Sequence, residues 1–157
     1  MKGLKIRTQE NQIHIQVWRA LGAQPTPMAI PEVFTALQQG VMDGQENPIG
    51  AIINNRFGQV QKYLTITNHA FTPIALVISP AAFASLSAAD QRVLQEEATA
   101  AMSLCKEEVG KVEKTGIDQL RGLGMQVVEK VDTAKFQDAL KPTFADLAKR
   151  FGESTIN

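Results

Sequence analysis

Residues 31–48 read PEVFTALQQGVMDGQENP. Pro31 suits the first helical position, where its missing N–H costs nothing, and Gly40 suits the left-handed residue that follows a last helical turn. Between them the pattern predicts one short helix with Val33, Phe34, Ala36 and Leu37 on its buried face. Asp43-Gly44 is a turn dipeptide, which swings Gln45, Glu46 and Asn47 toward a common point. A compact helix presenting a cluster of polar side chains is the expectation around which the rest of the chain is read.

Upstream, Leu4-Lys5-Ile6-Arg7 alternates apolar and basic residues, the pattern of a short half-buried strand with Arg7 at its end. Ile13, Val17 and Leu21 keep helical spacing up to the stop at Gly22, with Trp18 packing beside them in the core. Ala23 to Met28 carries two prolines spaced by one residue and reads as an extended or edge segment. Downstream, Ile49 to Phe57 has helical spacing. Tyr63 to Thr67 alternates like a strand, and the unbroken apolar run Ile74 to Ile78 predicts a strand buried on both faces at a central parallel position.

Ser87 with Asp90 three residues on resembles a capping box and opens the longest predicted element, a helix reaching Gly122. Its apolar positions are Leu94, Ala98, Ala101, Cys105, Val109, Val112 and Leu120. At 1.5 Å per residue it spans roughly 50 Å, more than a small domain's diameter, so it should bridge two lobes, and Gly110 and Gly116 predict a bend in its middle. Met125 to Val128 is a last strand. Thr133 to Phe151 is an amphipathic helix with Phe136, Leu140, Phe144, Leu147 and Phe151 on one stripe and a kink expected at Pro142. Strands and helices in alternation give an α/β class.

The 157 residues carry 16 basic and 16 acidic side chains, so net charge is zero and no electrostatic footprint for nucleic acid or an anionic membrane is present. A hydrophobic content of 44% and a charged content of 20% are ordinary for a globular protein. Cys105 is the one cysteine, which excludes an internal disulfide; it reads as a small buried hydrophobe, the alternative being a reactive thiol. No apolar run approaches the ~20 residues of a membrane span, and Met1-Lys2-Gly3 leads directly into the first strand without the apolar stretch of a secretory signal. His14 and His69 have no partner at metal-ligand spacing, so no metal and no cofactor are expected, and no nucleophile motif accompanies them.

Four blocks carry a family resemblance: GLKIR at 3–7, LGAQPTPM at 21–28, ALQQGVMDGQENP at 36–48 and QKYLTITNH at 61–69. In this order they resemble the solute-binding receptors of tripartite ATP-independent periplasmic (TRAP) transporters, of the dicarboxylate-receptor type. RFGQV at 56–60 departs from the pattern, which usually has an aromatic and a glutamate at the positions of Gly58 and Gln59. The resemblance implies the C-terminal half of a two-lobed periplasmic-binding-protein-like α/β fold, in a fragment or truncated homologue. Residues 1–157 then form a single incomplete unit. About 1–66 are mainly the second, carboxylate-binding lobe, and about 67–157 are a strand return, the long lobe-bridging helix and a C-terminal helix.

On residue chemistry, Arg7 could take both oxygens of a carboxylate or form an inter-strand ion pair. The resemblance assigns it the clamp on the ligand carboxylate. Asn47 matches the asparagine that hydrogen-bonds the same group from the other side, and its other reading is a helix cap before Pro48. Glu10 and Ile30 match positions that line the pocket in sialic-acid-binding members, Ile30 standing where an aromatic is usual. His69 belongs to the block where the resemblance implies a structural role, that of a satisfied core histidine.

The implied function is a periplasmic receptor component, not an enzyme, that recognises a small organic acid and delivers it to TRAP membrane subunits. An enzyme using His69 or His14 as general base is the second reading. A truncated homologue acting as an oligomeric structural or interaction protein is the third. Without a first lobe, the long helix and the Phe136 to Phe151 stripe should expose apolar area, which predicts a homodimer.

Overall fold

The structure is a computed structural model that describes residues 1–152 and Ser154. Two small parallel sheets organise it. In the first, β1 (Lys5–Thr8) lies between β2 (Gln24–Pro27) and β3 (Gly44–Gln45), giving the order β2-β1-β3. Each connection is a right-sized crossover: α1 (Gln12–Ala20) joins β1 to β2, and α2 (Ile30–Gln38) joins β2 to β3. In the second, β4 (Tyr63–Thr65) pairs with β5 (Gln126–Val128) across the intervening residues 66–125, which include α4 (Pro80–Ala84) and α5 (Ala88–Gly122). Helix α3 (Ile49–Asn54) and the 3-10 turn Phe57–Gln59 link the two sheets, and α6 (Thr133–Phe151) ends the described fold.

The local signals account for most of these elements. Asn11 caps α1 by accepting from the Ile13 and His14 amides, Pro31 sits in the first turn of α2, and Gly40 adopts φ 69° after its end. Ser87 caps α5, accepting from the Asp90 amide at 3.2 Å while donating to the Asp90 carboxylate at 2.7 Å. Val33, Ala36 and Leu37 of α2 are buried as expected, and they join Ile52, Phe57, Leu64, Leu120 and Met125 in the main core. Trp18 packs with Ile6 and Ala23 in a smaller cluster.

Several expectations need correction. Asp43-Gly44 does not make a free turn: Gly44 already pairs with Ile6, and the Asp43 carboxylate accepts from the Lys5 amide at 2.8 Å, so strand pairing overrides the turn preference. The helix after Pro48 stops at Asn54, because Arg56 takes a left-handed φ of 58° that no helix continues through. The run Ile74 to Ile78 is not a central strand; neither sheet reaches it, and Ile74, Leu76, Val77 and Ile78 are all exposed. An apolar segment becomes a strand only where another strand accepts its backbone bonds. The expected core positions Leu94 and Val109 of α5 are exposed as well and Cys105 is half-buried; only Gly116 and Leu120 of that helix are buried.

Gly116 serves close approach. A Cβ there would lie 2.5 Å from Ile49 Cγ2 and 3.0 Å from Ile53 Cδ1, so α3 crosses α5 at a place where the long helix has no side chain. Gly110 meets nothing within 4 Å, and α5 runs through both glycines as one 35-residue helix. Pro142 is likewise contained within α6. Gly58 is also packed tightly, its Cβ position 3.1 Å from Leu120 Cδ2, so the aromatic usual at this place in the resemblance has no room here.

Gly110 and Gly116 of α5 therefore predict opposite outcomes. Gly116→Ala should destabilise by about 1–3 kcal/mol through overpacking despite alanine's better helix propensity. Gly110→Ala should stabilise by up to about 1 kcal/mol, because only the propensity gain operates. Urea denaturation of both variants checks the pair, and equal shifts in the same direction would contradict the packing described.

Candidate functional site

Parallel pairing aligns the carboxyl ends of β1, β2 and β3, and the register sets Arg7 opposite Thr26 on one side and Gln45 on the other. Facing residues of neighbouring strands project to the same side of a sheet. Arg7 is only 6% exposed, yet its head group is held: Nε and Nη2 both donate to the Met28 carbonyl, at 2.8 and 2.6 Å. Met28 in turn is tied to β1, its amide donating to the Thr8 carbonyl at 3.1 Å. Two donors are thus spent on fixing the plane of the guanidinium, and Nη1 has no hydrogen-bond partner among the described residues. Burial lowers the Arg7 pKa from its ordinary value while the Glu46 charge raises it, and an arginine remains protonated throughout.

The three residues after Gly44 divide their contacts. Gln45 Oε1 accepts from Asn47 Nδ2 at 2.6 Å, so the Asn47 amide is oriented by the residue directly facing Arg7. Asn47 is not a helix cap; Pro48 holds that position without a side-chain bond. Glu46 turns toward two histidines, with Oε2 3.1 Å from His69 Nε2 and Oε1 3.5 Å from His14 Nδ1. His69 is further held by Thr67 Oγ1, 2.7 Å from its Nδ1, and its ring meets Trp18 edge-on at 5.3 Å. The left-handed Asn68, φ 46°, turns the chain between Thr67 and His69. His69 is therefore satisfied, though it lies at the surface and not in the core.

Of the other expected positions, Glu10 is exposed in the β1–α1 connection, and Ile30, 38% exposed, opens α2. Like Arg7 and Asn47, both stand at the carboxyl end of the first sheet, where ligands of open parallel sheets bind. What the sequence reading missed is the Glu46 bridge to His14 and His69, drawn from three separate segments. A regular spacing could not reveal it; the only signal was the Gln-Glu-Asn cluster itself. A separate apolar cavity of about 400 Å³ lies between α1, residues 67–70 and α6, lined by Val17, Trp18, Phe136 and Phe144 among others. Neither Arg7 nor Asn47 lines it, so it is not where a carboxylate would meet the guanidinium.

Comparison with known proteins places this geometry. Residues 1–150 match the family model described as DctP, bacterial extracellular solute-binding protein, family 7. A solute-binding protein of Verminephrobacter eiseniae (strain EF01-2) is 44% identical over 156 residues, covering 99% of this chain and 47% of the relative. A TRAP periplasmic solute binding protein from Polaromonas sp. JS666, solved bound to D-erythronate, is 47% identical with a TM-score of 0.92, covering 99% of this chain and 51% of that one. Another, from Roseobacter denitrificans OCh 114 with bound L-galactonate, is 38% identical with a TM-score of 0.87, covering 99% of this chain and 53% of that one. The chain thus spans about half the length of the relatives it matches, as the two-lobed reading expects.

The His69 contacts can be tested directly because Trp18 is the sole tryptophan. His69→Ala removes the edge-on ring and should shift Trp18 emission to the red, with a loss of about 0.5–1.5 kcal/mol in stability. Fluorescence-monitored denaturation reads both. An unchanged emission maximum would show that Trp18 is shielded without His69.

Proposed function

Because the chain belongs to the bacterial extracellular solute-binding proteins of family 7, we propose that it is the carboxylate-binding portion of a TRAP transporter receptor whose solute is a small polyhydroxylated monocarboxylic acid. The observation that carries the proposal is Arg7: a buried, always-charged guanidinium whose plane is set by the Met28 carbonyl while Nη1 is left uncommitted. Such a group recognises a planar anion with little entropy left to lose. Asn47, oriented by Gln45, supplies neutral amide donors to the same anion, and Glu10 and Ile30 stand at the rim of the same sheet end.

The Glu46 carboxylate next to Arg7 favours hydroxyl donors beyond the ligand's own carboxylate and disfavours a second negative charge. D-erythronate and L-galactonate, found in two similar structures, have that chemistry. Binding and release require no bond making, and the receptor would work outside the cytoplasm, in the periplasm, handing the acid to TRAP membrane subunits. The residues read as the second lobe, about 1–66, contain Arg7, Glu10, Met28, Ile30 and Gln45 to Asn47, whereas Thr67 to His69 lie just beyond. The third reading, an oligomeric structural protein without a ligand, finds no support among the relatives.

D-erythronate titrated into this chain should perturb backbone resonances at 7, 28 and 45–47 with a dissociation constant near the millimolar range, about −4 kcal/mol, since only one side of a cleft is supplied. Arg7→Lys should weaken binding at least about tenfold, because a point charge cannot replace the planar fork. Equal perturbations in the wild-type chain and the lysine variant would remove Arg7 from the site.

A further inference from the structure

The open polar groups beside Arg7 differ in kind, and Gln45 decides how they are shared. Strand register sets Gln45 next to Arg7 on one side of the first sheet. A side-chain amide carries an acceptor oxygen and a nitrogen with two N–H donors. Gln45 commits its oxygen, which accepts from Asn47 Nδ2 at 2.6 Å. Its own Nε2 has no hydrogen-bond partner among the described residues, and neither has Asn47 Oδ1. Both atoms are open to a ligand, since among the described residues the buried side-chain polar atom left without a partner is Thr8 Oγ1. Glu46, between the two amides in sequence, turns to His14 and His69.

We propose that Gln45 is a specificity-determining residue that touches the ligand and makes this site selective for 2-hydroxy acids. Its Nε2 donates to the ligand carboxylate alongside Arg7 Nη1. Its Oε1 holds the Asn47 amide by one N–H, which fixes the orientation of that amide and keeps Oδ1 available. An ionised carboxylate only accepts hydrogen bonds, so it can use Arg7 Nη1, Gln45 Nε2 and the second Asn47 N–H, but not Asn47 Oδ1. An acceptor set beside donors is matched by a ligand that carries a donor beside its acceptors. A hydroxyl on the carbon next to the carboxylate is the nearest such donor, and a buried polar group left without it lowers the affinity of any acid that lacks it. Without Gln45 the Asn47 amide can rotate and offer both N–H groups to the anion, and the demand for the hydroxyl disappears. The inference rests on the carboxylate reading of Arg7 and deepens it.

The test titrates D-erythronate and 3,4-dihydroxybutanoate, which lacks only the 2-hydroxyl, into this chain and follows the side-chain resonances of Arg7, Gln45 and Asn47. Erythronate should bind roughly fivefold tighter, the worth of one hydrogen bond between uncharged groups. Gln45→Leu should keep its circular dichroism and reduce that preference to within about twofold. A merely structural Gln45 would weaken both acids alike on its loss and leave the preference standing. Gln45→Glu keeps an acceptor for Asn47 but sets a carboxylate where the donor stood, and it should weaken both acids at least about tenfold. Equal affinity of the wild-type chain for the two acids, an undiminished preference in Gln45→Leu, or wild-type affinity in Gln45→Glu would overturn the proposal while leaving Arg7 in the site. Arg7 resonances that respond to neither acid would overturn the carboxylate reading and this inference with it.

Discussion

The parallel pairing of β1 with strands on both sides is the constraint on which the rest of the molecule depends. It is a short sheet, with four residues shared by β1 and β2 and two by β1 and β3, yet it brings three loops to one edge. Because crossovers between parallel strands run through α1 and α2, the polar segments following each strand end at the same side. Arg7, Met28 and Gln45 to Asn47 belong to three different strand ends. Their meeting is a property of register. A slip by one residue would send Arg7 to the opposite face and leave the Met28 carbonyl without its two donors.

Burial of Arg7 has a consequence for electrostatics. A guanidinium out of water loses hydration, and the Met28 carbonyl and the neighbouring Glu46 charge offset part of that loss. Glu46 is itself shared with His14 and His69, so the charge beside Arg7 is distributed over a small network instead of being concentrated in a tight ion pair. An ion pair closed directly on Arg7 would compete with an incoming anion. Here Arg7 is held by a neutral acceptor, the Met28 carbonyl, which takes its Nε and Nη2 donors, and the Glu46 carboxylate faces the two histidines.

The second constraint joins the two sheets. Phe57 and Leu120, both fully buried, lie in the core that α2, α3, β4, β5 and the end of α5 share, and Gly116 lets α3 approach the long helix closely. Only the part of α5 from Val112 onward takes part. Residues 70–79 have the composition of an interior and the exposure of a surface, and Val93, Leu94, Leu104 and Val109 of α5 are exposed among charged neighbours, so the chain contains more apolar pattern than its own fold covers.

Local chemistry in the sequence determined where helices begin and end: Asn11, Ser87, Pro31 and Gly40 do at close range what their side chains and backbone preferences dictate. Apolar spacing likewise determined the buried face of α2 and the place of Trp18, and the four motif blocks carried the family. Tertiary structure alone decided the pairing of Gly44 with Ile6 in place of a free turn, the capture of Glu46 by two distant histidines, the close contact at Gly116 and the failure of Ile74 to Ile78 to become a strand. The division has a physical cause. Caps and helical periodicity involve groups a few residues apart, whereas strand pairing, charge sharing and close approach depend on which distant segments the register of a parallel sheet brings together.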